Sequence, residues 1–259
     1  MPPPQVIASS PIQYRDCDAM DLLGHTRSSA NLGRNVLQTV AEILPLALAI
    51  VASAAPIIAI VVLMMGDRGL AKALTFLIGW FLGSLIVLAA ALLLGLAAPD
   101  DPATWSLWLK LVLGLLLIIL AIKKIRAQRA NSSENDAAAE PKWMAGLTTI
   151  SGGKSLLLGA ALSGLNPKNL ALGLAAGSTI VASGISEGEQ WLTAVIFAVI
   201  ASLGLLVPFL GYLIQGEKAD ANLEKLKSWM TQNSDGITIV ILVIFGVKLF
   251  ADGAAGLLA

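Results

Sequence analysis

Four polar residues interrupt a long apolar run and carry the chemistry that most needs explaining. Asn166, Pro167, Lys168 and Asn169 lie within residues 155–186, where Lys168 is the only charged residue. Because Pro has no N–H donor, it breaks a helix and exposes backbone polar groups. A Lys at that depth in a membrane would suit a phosphate, sulfate or carboxylate, with the two Asn residues binding backbone or substrate. Alternatively, Pro167 only kinks the helix and Lys168 extends to the membrane surface.

A second pair of charged residues lies near the end of the chain. Lys248 and Asp252 are four residues apart, so on a helix they share one face. They could handle a proton or a substrate, or they could form a structural ion pair. The chain has one cysteine, Cys17, and one histidine, His25, which together cannot form a disulfide framework or a zinc site. We predict no catalytic residue, no metal site, no cofactor and no enzymatic activity.

The composition is that of an integral membrane protein. Of 259 residues, 56% are hydrophobic and 13% are charged, whereas soluble domains carry about 25% charged residues. The formal net charge is zero, so nothing suggests a nucleic-acid partner. Residues 1–36 are polar, and we predict a disordered N-terminal tail.

Six apolar segments are each long enough to cross a bilayer as a helix, which takes about 20 residues. They are Ile43–Met65, Ala73–Pro99, Ala103–Ile122, Ser155–Ser186, Gln190–Gly216 and Gly236–Ala259. Backbone polar groups must be satisfied within the membrane, and helices do this segment by segment. The predicted fold class is therefore all-α, with six transmembrane helices.

The loop charges predict the orientation and a two-fold organisation. Lys and Arg occur in the first, third and fifth loops and are missing from the second and fourth. Positive loops mark the cytoplasmic side, so both termini are predicted outside. Residues 123–152 form a cytoplasmic linker between repeats 37–122 and 153–259, which enter the membrane in opposite orientations. A short interfacial helix is predicted at about residues 218–231.

The two repeats give Pro167 a counterpart. Pro56 interrupts the uncharged first segment as Pro167 interrupts the fourth. Interrupted helices in corresponding places of two inverted repeats indicate a binding site near the midplane. The predicted substrate site therefore comprises Pro56 and residues 166–169, with Lys248 and Asp252 as further candidates.

Several of these stretches resemble one known family. ALSGLNPKNLALGLAAG, LTFLIGWFLGSLIV, FGVKLFADG and the Pro-Ile-Ile-Ala of the first segment are similar to the GAP family, the glycopeptidolipid and sulfolipid addressing proteins. This family lies within the wider lysine-exporter superfamily. The resemblance covers roughly residues 37–259. It implies six helices, a plasma-membrane location and outward movement of envelope lipids or their precursors. Asn166, Pro167 and Lys168 are its motif residues, and Pro56 matches its first helix.

Three functions remain open at this level. The first is a transporter in the lipid bilayer that exports or flips a lipid or lipid-linked anionic substrate. It would act alone, as a homo-oligomer or with a larger lipid exporter. The second is an amino-acid or small-solute exporter. The third is a scaffold that assists a larger lipid exporter. A metal or thiol-redox transporter is disfavoured, because no predicted span contains Cys or His.

Overall fold

The computed structural model describes residues 36–96, 102–131, 146–147 and 150–258. The predictions for the tail and for most of the linker fall outside these residues. Within them every long element is an α-helix. The helices are α1 (Val36–Val51), α2 (Ala54–Met64), α3 (Gly69–Leu96), α4 (Pro102–Asn131), α5 (Gly152–Gly164), α6 (Pro167–Ala182), α7 (Glu187–Ala201), α8 (Leu203–Gln215) and α9 (Asp220–Leu258).

Three helices are individually long and apolar enough to cross a membrane, and two bent pairs meet the same test together. The single helices are α3, α4 and α9, and the pairs are α1–α2 and α7–α8, each bent by 55°. The described residues therefore contain three candidate spans, or five if each bent pair counts as one. The α5–α6 segment is not among them, so the predicted count of six stays a prediction.

Two helices run further than the sequence predicts. α4 continues nine residues past Ile122 to Asn131, so the linker begins as helix. The interfacial helix predicted near residues 218–231 is the first part of α9, a single helix of 39 residues. Leu223 and Met230 on its apolar face are buried in the core. That face therefore packs on protein, and α9 continues past it without a break.

Glycines bring two helix pairs into close contact. α3 packs on α5, where a Cβ on Gly79 or Gly159 would overlap a backbone carbonyl of the facing helix. α4 packs on α9, where a Cβ on Gly253 would lie 2.6 Å from the Leu111 nitrogen. Small residues allow such close approach in membrane helices, where packing replaces the hydrophobic drive for association. The broken helices pack against these pairs, α2 on α9 and α6 on both α3 and α4.

Candidate functional site

The break between α1 and α2 leaves a backbone carbonyl without its helical donor. In a continuous α-helix the Ser53 N–H would donate to the Ala49 oxygen. Here the Ser53 nitrogen donates to the Ile50 oxygen at 3.0 Å instead, so the Ala49 oxygen lacks its helical donor. Pro56, buried in the first turn of α2, has no N–H to offer the carbonyl of Ala52. The break therefore creates acceptors inside the protein that other groups must satisfy.

The break between α5 and α6 is built by a helix cap and a proline. α5 ends at Gly164, and the Asn166 side chain accepts a hydrogen bond from the Lys168 backbone nitrogen at 3.1 Å. Asn is a favoured N-cap residue, and Pro is favoured at the first helical position, which Pro167 occupies. The sequence-based prediction of an interrupted helix here is confirmed.

A chain of hydrogen bonds joins the two breaks. The Lys168 Nζ donates to the Ala49 oxygen at 3.2 Å and to the Ser53 Oγ at 2.7 Å. The Ser53 hydroxyl donates in turn to the Asn169 Oδ1 at 3.2 Å, and the Asn169 Nδ2 donates to the Leu162 oxygen at 3.2 Å. Lys168 thus satisfies the end of α1, and Asn169 satisfies the end of α5. We call this arrangement the Lys168–Ser53–Asn169 lock.

The Lys168 charge is buried and has no carboxylate partner in the described part of the chain. Its side chain is 6% exposed, and the described ion pairs involve other residues. The negative end of α1 stabilises a cation by at most about 2 kcal/mol, whereas burying an ion costs several kcal/mol. Two of the three ammonium N–H groups are engaged. An anion would therefore find both an uncompensated charge and a donor.

A cavity of about 320 Å³ reaches Lys168 from one end of the molecule. We call it the Lys168 cavity. Asn166, Pro167, Ala54 and Ala55 line it beside Lys168, with α4 and α9 opposite. At its wall the Lys124 Nζ and the Asp235 Oδ1 form an ion pair of 2.7 Å between half-exposed side chains. Two lysines and one aspartate give the described lining residues one formal positive charge.

An apolar groove of about 570 Å³ lies on the other side of the same break. α3, α5 and α6 line it with residues such as Val87, Gly164, Leu165 and Leu174. Leu165, at the break itself, is 78% exposed. Among the described residues, no charged residue lines this groove, in contrast to the Lys168 cavity. The break thus separates a polar cavity from an apolar surface groove.

Lys248 and Asp252 lie elsewhere, in a second polar cavity of about 390 Å³. We call it the Lys110 cavity. The Lys248 Nζ and the Asp252 Oδ2 are 2.6 Å apart, so the predicted pairing is formed. Lys110 and Glu42 line the same cavity. Along α4, Lys110 and Lys124 are separated by about 21 Å at 1.5 Å per residue.

The structure therefore divides the predicted site residues into two groups. Residues 166–169 lie together at the breaks, where Ala54 and Ala55 line the cavity just before buried Pro56. Lys248 and Asp252 lie in the other cavity. That any of them binds substrate stays a prediction.

Sequence reasoning did not identify Ser53, Lys110, Lys124 or Asp235 as site residues. Lys124 counts there only among the loop charges, and Ser53 carries no charge that would mark it. Their helical register offered one usable signal. Lys110 and Lys124 are 14 residues apart on one helix, which returns nearly to the same face after four turns.

A family model described as Sap, sulfolipid-1-addressing protein, matches residues 43–255. No curated protein and no solved structure matches the chain. The match covers all nine helices described above except the ends of α1 and α9.

Proposed function

The chain belongs to the sulfolipid-1-addressing protein family, and we propose that it exports or flips an anionic cell-envelope glycolipid or lipid-linked precursor across the plasma membrane. The family match supports a membrane protein linked to lipid addressing. The substrate class, the direction and the mechanism are part of the proposal. On this proposal the chain is a transporter and not an enzyme.

One observation carries the proposal. The α5–α6 break has a polar cavity with one net positive charge on one side and an apolar groove on the other. An amphiphile needs both surfaces, because its anionic head group requires donors and its acyl chain requires an apolar surface. We assign the head group to Lys168 and the acyl chain to the groove beside Leu165. If this groove is open to the bilayer, the acyl chain of the lipid can stay in the membrane while the head group moves through the protein.

The two polar cavities support an alternating path. They lie toward opposite ends of the same elements, α1–α2, α4, α6 and α9. The Lys168–Ser53–Asn169 lock lies at the Lys168 cavity, which Lys168 itself lines. If α5–α6 counts as a sixth, interrupted span, the loop charges place the Lys168 cavity on the cytoplasmic side and the Lys110 cavity outside. Two inverted repeats with broken helices at a central site would then rock about the lock.

A second candidate function, export of an amino acid or other small solute, is favoured by one feature. The Lys168 cavity alone, about 320 Å³, is within the range of small-molecule sites, from about 300 Å³ upward. Such a substrate would use the cavity and leave the groove empty. The third hypothesis is a scaffold that assists a larger lipid exporter. In that case neither the Lys168 cavity nor the groove binds a transported substrate.

Reconstitution into vesicles distinguishes these functions. The purified chain should move a fluorescently labelled phosphatidylglycerol between leaflets, measured by loss of fluorescence to a membrane-impermeant quencher. Lys168→Met should abolish this movement, whereas Lys168→Arg should retain part of it. Lys123→Met removes an exposed charge of α4 and serves as the control, with movement unchanged.

Each outcome assigns a function. Transport of radiolabelled lysine without lipid movement would favour the solute exporter. Movement of neither probe would favour the scaffold. Unchanged lipid movement in Lys168→Met would refute the head-group role of Lys168.

A further inference from the structure

Four ionisable side chains of the described part of the chain line the Lys110 cavity, and they differ in their pairing. Lys248 and Asp252 form a direct ion pair of 2.6 Å. Glu42 accepts a hydrogen bond of 3.4 Å from the Gln38 side chain one turn earlier. Lys110 has neither a hydrogen bond nor an ion pair with the described residues, although it lies within electrostatic range of the other three. Lys110 is therefore the cation of this cavity whose ammonium group has no bonded partner among the described residues.

The position of Lys110 makes an unpaired charge costly. It is half-buried and lies within the apolar α4 segment Thr104–Arg129, which is long enough to span a membrane. Ionisable groups inside such segments generally pair with another group or serve a ligand. The cavity has a volume of about 390 Å³ and is lined by Lys110 of α4 and by residues of α9. This volume is sufficient for a phosphate- or sulfate-sized group.

We propose that the Lys110 cavity is a second oxyanion site, in which Lys110 and Lys248 bind a phosphate or sulfate group. Lys110 supplies free N–H donors, and Lys248 contributes by turning from Asp252 toward the anion. Charge-assisted hydrogen bonds from ammonium groups to such oxygens are about twice as strong as neutral ones. The oxyanion could be a lipid head group or a free ion, since both present the same oxygens.

The charge balance indicates a weaker site than the Lys168 cavity. Among the described lining residues, two lysines and two acidic residues leave the Lys110 cavity with no net formal charge, whereas those of the Lys168 cavity carry one positive charge. Asp252 competes directly with the anion for Lys248. If the proposed export function holds, an anion would pass from a tighter site to a weaker one, as release requires. The existence of the oxyanion site does not depend on that function.

The test measures phosphate binding inside this cavity only. Ala41 lines the cavity and is exposed, so the thiol introduced by Ala41→Cys in a Cys17→Ser background reports on it. The full chain is purified in detergent and labelled with a neutral maleimide, in sodium phosphate or in sodium chloride of equal ionic strength. Phosphate should slow the labelling by severalfold. Labelling of Gly188→Cys, an exposed position with open space around it, should not change.

Two charge substitutions should shift this protection in opposite directions. Lys110→Gln should raise the phosphate concentration for half-protection about tenfold, the effect of one lost charged contact. Asp252→Asn should lower that concentration, because it frees Lys248 and leaves the cavity with net positive charge. Lys123→Gln, on the exposed surface of α4, should leave it unchanged.

The remaining outcomes would overturn the proposal. These are equal protection in Lys110→Gln and the parent, weaker protection in Asp252→Asn, or no protection by phosphate at all. Short-chain phosphatidic acid in place of phosphate separates the two sources. Protection at much lower concentration than phosphate assigns the site to a lipid head group, and equal concentrations assign it to the free ion. Because labelling needs no transport, failure of lipid movement in vesicles would leave this result standing.

Discussion

Ser53 joins groups that belong to two broken helices. Its hydroxyl accepts from the Lys168 ammonium and donates to the Asn169 side chain, which in turn satisfies the end of α5. A serine hydroxyl can do both at once because it has one donor and two acceptor lone pairs. Ser53 is 4% exposed, so water cannot readily replace it. The lock therefore depends on a residue that carries no charge.

We predict that Ser53→Ala destabilises the protein much more than a chemically identical change elsewhere. It removes an acceptor from a buried ammonium and a donor from Asn169, and a buried polar group left unsatisfied costs about 1–3 kcal/mol, more if charged. Ser178→Ala is the control, since Ser178 is also buried but bonds only the Ala175 oxygen within its own helix. Thermal unfolding in detergent should show a lower midpoint for Ser53→Ala. Equal midpoints would mean that the lock contributes little.

At the scale of elements, the glycine contact between α3 and α5 determines how closely the broken α5–α6 segment is held. Gly159 faces the Phe76 carbonyl and the Trp80 nitrogen of α3. Two side-chain contacts lie nearby, since the Ser84 and Ser163 hydroxyl oxygens are 2.7 Å apart and Ser155 donates to the Lys72 oxygen at 2.7 Å. The backbone atoms at Gly159 belong to a helix and cannot move aside individually.

Gly159→Ala and Gly153→Ala should therefore have opposite effects, although both lie in α5. The methyl group of Gly159→Ala would overlap α3 and force the helices apart, and overpacking of this kind costs about 1–3 kcal/mol. Gly153 has open space around it, so Gly153→Ala should be neutral or should stabilise the helix by up to about 1 kcal/mol. Unfolding midpoints of the two variants provide the measurement. A stable Gly159→Ala variant would show that α3 and α5 are not held in close contact.

The apolar groove leads to a prediction about substrate. Ala90 lies in the groove and is exposed on α3. Ala90→Trp should fill part of the groove and slow movement of a labelled lipid severalfold, without affecting a solute that uses only the Lys168 cavity. Leu82→Trp, at an exposed position of α3 outside the groove, controls for bulk at the lipid-facing surface. If both variants move lipid at the parent rate, the acyl chain does not use this groove.

The breaks at Pro56 and Pro167 were predictable because proline chemistry is local. The break at Ser202 was not, although Pro208 lies in the same segment. Pro208 is accommodated within α8, and the 55° bend occurs between Ala201 and Leu203. There, a Cβ on Gly204 would lie 2.5 Å from the Val51 oxygen, so this bend accompanies a close contact with the end of α1. Contacts between residues more than 100 positions apart leave no local pattern in a single sequence.

The same limit applies to the site. A lysine beside a proline in a long apolar run marks a candidate site by itself, which is why residues 166–169 are candidates from the sequence, and their binding of substrate stays a prediction. The acceptor Ser53 lies 115 residues away from Lys168, and Ser53 looks like any small residue near a helix break. Likewise, the sequence predicts a helix at about residues 218–231, and Leu223 and Met230 lie on one face of it. Only the packing shows that this face belongs to the core and that α9 is continuous.

At the scale of the whole molecule, the two halves can be inverted repeats only if the α5–α6 segment crosses the membrane. By length and composition this segment does not qualify as a span in the described residues. Yet α5 and α6 together contain 29 residues, α5 packs against α3, and α6 packs against both α3 and α4. If α5–α6 crosses, Lys168 lies deep in the membrane. If it re-enters on the side where it began, there are five spans and the termini lie on opposite sides.

Two exposed glycines that flank this segment test the crossing. Gly153 is the second residue of α5 and Gly188 the second residue of α7, and a Cβ at either position would meet no described atom of another residue within 4 Å. In a Cys17→Ser background, a membrane-impermeant thiol reagent added to intact cells should label Gly188→Cys and should label Gly153→Cys only after permeabilisation. This pattern follows from the positive charges of the third loop and from their absence in the fourth. The reverse pattern would keep six spans and invert the protein, exchanging the sides of the Lys168 and Lys110 cavities. Labelling of both thiols from the same side would show that α5–α6 does not cross, and the inverted-repeat arrangement would then be wrong.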